Sequence, residues 1–179
     1  MPETCPKHGG VILRDMDISD LDRLDPADAR ALVATWAGVP RWVDAVLAAR
    51  PYASVSELAA TADRLAGTWT DDEVAAALAD HPRIGERPVG SGASAAASRV
   101  EQASSADPDG ETRAAIRDGN AAYEARFDRV FLVRAAGRSA TEILAELRRR
   151  LRNDDATERA EVADELRAIA LLRLERTFA

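Results

Sequence analysis

Apolar positions recur at helical spacing along most of the chain, broken at intervals by proline, glycine and capping residues. Asp25-Pro26 reads as an N-cap with proline at the first helical position, opening a helix from Ala27 to Trp36. Gly38 and Pro40 close it and start another that carries Trp42, Val43, Val46 and Leu47 and ends at Pro51. Ser54 and Ser56 are alternative caps for a segment running to about Thr68. The spacing of Thr70 and Glu73 predicts a capping box ahead of Val74 and Leu78. That helix must stop near His81, because Pro82 disfavours helical geometry in the residue before it. Residues 85–94, rich in Gly, Pro and Ser, read as a loop. An alanine-rich helix resumes near Ala95, and a longer one covers about Glu111 to Phe127. Val130 to Val133 is the one β-like run, too isolated to found a sheet. Ser139 and Glu142 form a second capping box for a helix to about Leu151, and the last helix runs from about Asp155 to Arg176. With no internal repeat and no sustained heptad, the expected fold is all-α: a single-domain bundle of roughly eight helices over residues 19–179. A loosely ordered leader, residues 1–18, is expected to precede it.

Charge and composition narrow the function classes. The 24 Lys+Arg against 31 Asp+Glu give a net charge of −7, and the basic residues are dispersed among carboxylates, which argues against nucleic acid as a partner. No apolar run approaches the roughly 20 residues of a membrane span. Cys5 stands alone, so an internal disulfide is excluded, and one cysteine with two histidines leaves too few soft ligands for a zinc site. The N-terminal residues lack a signal-peptide pattern, and the chain reads as cytoplasmic.

Four places set polar residues where core-and-surface logic does not require them. His81 sits at a helix C-terminus before an enforced chain reversal. It reads either as a cap favoured by the helix dipole or as a general acid/base working near neutral pH. Ser98, Glu101 and Gln102 fall within one narrow arc at about 100° per residue, opposite Ala96, Val100 and Ala103; this is a solvated face unless a cation opposes it. Arg173 supplies such a cation. Val162, Leu166, Ile169 and Arg173 follow at spacings of 4, 3 and 4, so the guanidinium emerges from an apolar stripe. A core-facing arginine needs a counter-charge or acceptor, unless its stem snorkels toward the helix end near Thr177. Asn120 shares a stripe with Ile116, Tyr123 and Phe127, and is expected to be inward-facing structural support, stitching its helix to residues 130–133.

These stretches together resemble one family, the 2-oxo-4-hydroxy-4-carboxy-5-ureidoimidazoline (OHCU) decarboxylases of urate degradation. The matching residues are His81-Pro82-Arg83-Ile84-Gly85, the Ser-x-x-Glu-Gln run from Ser98 to Gln102, the Asn-x-x-Tyr-x-x-Arg-Phe run from Asn120 to Phe127, and Leu172-Arg173-Leu174. The similarity extends from about Leu21, through Arg41-Trp42 and the Ala49 to Ser54 stretch, to the C-terminus. Two departures stand out: Asp128 occupies a position where glycine is common, and residues 87–97 are unusually rich in Gly, Ser and Ala. The resemblance implies an all-helical, cofactor-free, homodimeric enzyme that converts a small ureidoimidazoline to (S)-allantoin and CO₂. It places the catalytic roles on His81, Glu101 and Arg173, and substrate binding on Pro82, Ser98, Gln102 and the backbone of Arg129, Val130, Phe131 and Leu132.

The chemistry suits those residues. Decarboxylation leaves an electron pair on carbon, and the substrate's own conjugated ring nitrogen and carbonyl can receive it. The protein then has to orient the substrate, stabilise charge and transfer a proton to one face. The competing reading is a non-catalytic helical binding or adaptor module of the same fold, whose sign would be loss of His81, Glu101 or Arg173; all three are present. A helical DNA-binding regulator is disfavoured by the −7 charge and the lack of a basic recognition helix.

Overall fold

The computed structural model describes residues 16–79, 81–84 and 110–179. Eight helices form among them: α1 (Ile18–Arg23), α2 (Pro26–Trp36), α3 (Pro40–Ala48), α4 (Val55–Ala66), α5 (Asp71–Ala79), α6 (Gly110–Phe127), α7 (Ala140–Arg150) and α8 (Asp155–Thr177). No strand occurs among the described residues, and the fold is all-α. The helix expected from Ala95 lies outside them.

The caps explain where the helices begin. Asp25 accepts from the Ala27 and Asp28 amides ahead of Pro26. The Thr70 amide donates to Glu73 at 2.8 Å, and the Glu73 amide donates back to the Thr70 hydroxyl at 3.2 Å, so the first predicted capping box is present. The second is present too, with Ser139 and Glu142 exchanging the same pair of bonds. A third box straddles the end of the expected leader. Asp17 and Asp20 cap α1, and Met16 and Ile18 pack partly buried against the core. Residues 16–18 are therefore part of the folded unit. Four carboxylate-bearing side chains between Asp17 and Asp25 hide so short a helix from a periodicity reading.

The core has two parts. The first is built by α1 to α5 and α8, around Trp36, Trp42, Leu58, Leu166 and Leu174. The 23-residue α8 is its spine and packs on α2, α4 and α5. The second part lies between α6 and α7, around Tyr123, Phe127, Phe131, Ile143 and Leu147. Gly119 permits their close approach, since a Cβ there would lie 2.6 Å from Leu147 Cδ2.

The β-like run forms the seam. Phe131 and Val133 face the second core and Leu132 the first, the alternation of an extended chain. No strand neighbours it among the described residues, and side chains there hold its backbone. Arg150 Nη1 donates to the Leu132 carbonyl at 2.6 Å, and Glu165 accepts from the Arg134 amide at 2.7 Å.

Candidate active site

Helix α5 ends at Ala79, and the chain turns through His81 and Pro82. The His81 amide donates to the Leu78 carbonyl at 2.9 Å, and its ring Nδ1 lies 2.8 Å from the Ala77 carbonyl. A carbonyl can only accept, so Nδ1 carries a proton, and in the neutral ring the buried Nε2 is the basic nitrogen. The backbone of α5 thus fixes both the tautomer and the orientation of the imidazole.

Two residues one turn apart on α6 secure the segment after His81. Asn120 Nδ2 donates to the Ile84 carbonyl at 3.0 Å, and Glu124 receives both Nε and Nη2 of Arg83, at 2.5 and 2.7 Å. Asn120 is buried, as its stripe predicts, but its bond goes to the 81–84 segment and not to residues 130–133. The physical reason is supply of donors: residues 130–133 already have Arg150, whereas the Ile84 carbonyl sits in a turn without helical bonding. The Arg83–Glu124 pair was not foreseen. The four-residue spacing of Asn120 and Glu124 was its only sequence signal.

Arg173 lies where the stripe puts it, 6% exposed on the inward face of α8, and its Nη1 donates to the Thr35 carbonyl at 3.3 Å. Snorkelling toward Thr177 is not observed. The Thr177 hydroxyl donates to the Arg173 carbonyl and accepts from Trp36 Nε1, both at 2.9 Å. No hydrogen bond joins Arg173 to His81. Ser98, Glu101 and Gln102 lie outside the described residues.

The turn from α6 into the seam depends on Asp128, whose φ is 52°. This is the left-handed region, which favours glycine, and aspartate is among the few other residues that tolerate it. Beyond it, the Arg129 side chain is committed: Nε donates to the Phe127 carbonyl at 3.0 Å and Nη2 to Asp155 at 2.5 Å. Among the described residues no acceptor meets the amides of Val130, Phe131 and Leu132, and the Leu132 carbonyl accepts from Arg150.

A cleft of about 660 Å³ runs along the outer side of this turn, lined by Leu78, Ala79, Arg129 and Val130 together with Asp71 and Arg159. Arg159 and Asp71 pair across it at 3.2 Å. Neither His81 nor Arg173 lines it.

Sequence reasoning missed a buried cluster beside the seam. Arg150 and Glu158 have no exposed side-chain surface and are paired at 2.5 Å. Tyr123 donates its hydroxyl to the same carboxylate, and Asn153 donates to the other oxygen at 2.8 Å. Burial, and then the Glu158 carboxylate, push the Tyr123 phenol well above its ordinary range, so it stays a donor. Burial would lower the Arg150 guanidinium, but hydrogen bonding to Glu158 prevails and its net shift is upward. The signal was available: Glu158 precedes Val162 by four residues on the stripe that ends at Arg173, and Arg150 follows Leu147 by three.

Comparison with known proteins agrees with this architecture. A comparison with the curated proteins finds no match. Among solved structures, the chain is similar to a crystal structure of OHCU decarboxylase in the presence of (S)-allantoin, with a TM-score of 0.70 and 21% identity over 83% of this chain and 97% of that one. It is also similar to a crystal structure of (S)-allantoin synthase, with a TM-score of 0.66 and 16% identity over 90% of this chain; there it spans 54% of the other chain. These likenesses show the fold. The profile of the OHCU decarboxylase family matches residues 22–175, from α1 into the last turn of α8 and across His81, Glu101 and Arg173; the chain belongs to the OHCU decarboxylase family.

Proposed function

We propose that His81, Glu101 and Arg173 are the catalytic set with which this carboxy-lyase of urate degradation converts the ureidoimidazoline to (S)-allantoin. The observation that carries the activity is the family match over residues 22–175. What supports the roles is the inward-facing Arg173 and the tautomer set on His81 by the Ala77 carbonyl.

In the reaction the bond between the ring carbon and its carboxylate breaks and CO₂ leaves. The electron pair passes into the conjugated ring nitrogen, which takes one proton from solvent. His81 Nε2 accepts the hydroxyl proton as the carbonyl forms and returns it to one face of the neighbouring carbon. This one-base transfer balances the reaction and makes the product a single enantiomer. Arg173 holds a carbonyl or ureido oxygen with its planar donor fork, and Glu101 accepts N–H hydrogen bonds from the ureido group or ring. Pro82, Ser98 and Gln102 complete the pocket, with the N–H groups of Arg129 to Leu132 as backbone donors. The reading includes a homodimer, as the family resemblance implies, and a cytoplasmic setting. Among the described residues no helix is long and apolar enough to cross a membrane.

The test uses freshly generated substrate, which decays by itself to racemic allantoin. The protein is expected to speed that decay and build up optical activity. His81→Ala should lose at least about a hundredfold in turnover, in line with the usual share of a general acid or base, and Glu101→Ala should lose most of its turnover with the hydrogen bonds that orient the substrate, both at unchanged far-UV helicity. A folded variant with near-normal optical activity removes that residue from the mechanism.

A further inference from the structure

We propose that the buried Arg150–Glu158–Tyr123 cluster holds the Val130–Leu132 backbone in its substrate-binding conformation, which makes these three positioning residues of the decarboxylation. This rests on the reading that the 129–132 backbone contacts substrate. The structural argument begins with what the segment lacks. It is extended, and among the described residues it pairs with no strand and no ladder of backbone bonds sets where its N–H groups point. Among the described residues, the one strong directional hold on its carbonyls is Arg150 Nη1 on Leu132, at 2.6 Å. Because the peptide bond is planar and trans, fixing that oxygen fixes the Leu132–Val133 peptide plane, and with it the C-terminal end from which the Val130–Leu132 backbone is positioned.

The guanidinium is itself held from several directions. Nε and Nη2 donate to Glu158 Oε1 at 2.8 and 2.5 Å, and the group lies 5.0 Å from the Phe131 ring centroid. Tyr123 closes the arrangement, with its hydroxyl on Glu158 and its ring edge-on to Phe131 at 5.2 Å between centroids. Phe131 and Leu132, two of the residues expected at the substrate, are thus each fixed by Arg150.

Packing alone would not call for such a device. A fully buried ion pair is commonly matched or bettered in stability by apolar side chains of similar volume. What apolar side chains cannot supply is a donor aimed at one carbonyl oxygen. The prediction follows from that difference: replace the pair by apolar residues, and stability is kept while substrate binding weakens.

The experiment compares Arg150→Met/Glu158→Met with wild type in melting temperature, KM and kcat. The double variant is expected to stay folded, with KM raised at least tenfold and kcat reduced less than threefold, because the segment's N–H donors bind the substrate away from the bond that breaks. Two milder changes keep the test decisive if the double variant does not fold. Arg150→Lys keeps a charge opposite Glu158 but loses the fork that reaches Leu132 at the same time, and KM should rise three- to tenfold. Tyr123→Phe removes one hydroxyl, and KM should rise two- to fivefold. A KM within twofold of wild type in the Met/Met or Lys variant, once folded, overturns the inference. Inactive wild-type protein, or a fully active His81→Ala variant, overturns the functional reading and this inference with it; active wild type, inactive His81→Ala and unchanged KM in the cluster variants overturn the positioning role alone.

Discussion

Arg173 carries the sharpest opposition between stability and activity at the level of single residues. It is 6% exposed, and its guanidinium donates to the Thr35 carbonyl. Arg173→Lys keeps the charge without the planar fork, so substrate binding should weaken although α8 still packs. Arg173→Met removes a buried cation, and melting is expected to stay within about 4 °C of wild type, the shift that about 1 kcal/mol produces in a domain of this size. Its turnover should fall at least a hundredfold. A melting loss of ten degrees with activity retained would show that the residue serves the fold instead. The burial of Arg173 was legible because a charge interrupting a 4, 3, 4 apolar rhythm has to face the core. The same rule reaches Glu158 and Arg150, whereas the partner of Asn120 was not legible. A stripe says which way a side chain faces, but the choice between Ile84 and residues 130–133 depends on how α6 lies against the turn after α5.

Helices were legible here mainly through their ends. Both capping boxes stand where the Ser/Thr-x-x-Glu spacing put them, because such a box is a contact within four residues and needs no tertiary information. The short α1 escaped notice because its cap uses aspartate at both positions and its six residues hold only one fully buried side chain, Leu21. The box at α5 has a consequence for pH. Hydrogen bonding to Arg41, and then to the Thr70 amide, lowers the Glu73 carboxyl from 4.5 to about 2. A depressed acid contributes stability that is complete above its unfolded value and is lost as pH falls toward the folded one, so the contribution of Glu73 disappears between about 4.5 and about 2. Glu73→Gln keeps the cap acceptor but loses the charge facing Arg41. It should cost about 0.5–1 kcal/mol at pH 7, as exposed pairs do, and the gap to wild type should close as the pH approaches 2. Chemical denaturation of both proteins across that range checks it; a gap that stays constant with pH means that Glu73 acts through its shape alone.

At the scale of the whole molecule, two cores share one seam, and the charged cluster is what crosses it. Arg150 closes α7 on the side of the second core, and Glu158 opens α8, the spine of the first. All three tryptophans, Trp36, Trp42 and Trp69, belong to the first core or pack on it, so their fluorescence reports that half alone, while far-UV circular dichroism reports every helix. If the seam makes the two halves one cooperative unit, the two signals should follow a single curve when wild type unfolds in urea. Glu158→Ala leaves the buried Arg150 with only the more distant Glu161, at 3.8 Å, as counter-charge, a change of the kind that costs about 3–5 kcal/mol, and removes the buried part of the tie between α7 and α8. The loss falls first on the half that relied on the tie from outside. Helices α6 and α7 rest mainly on each other, whereas α8 keeps its contacts with α2, α4 and α5. In this variant the dichroism should therefore begin to fall at lower urea than the tryptophan signal, and the Met/Met pair, which restores an apolar seam, should bring the curves back together. Coincident curves in Glu158→Ala would mean that packing along residues 131–135 couples the cores without help from the buried ion pair.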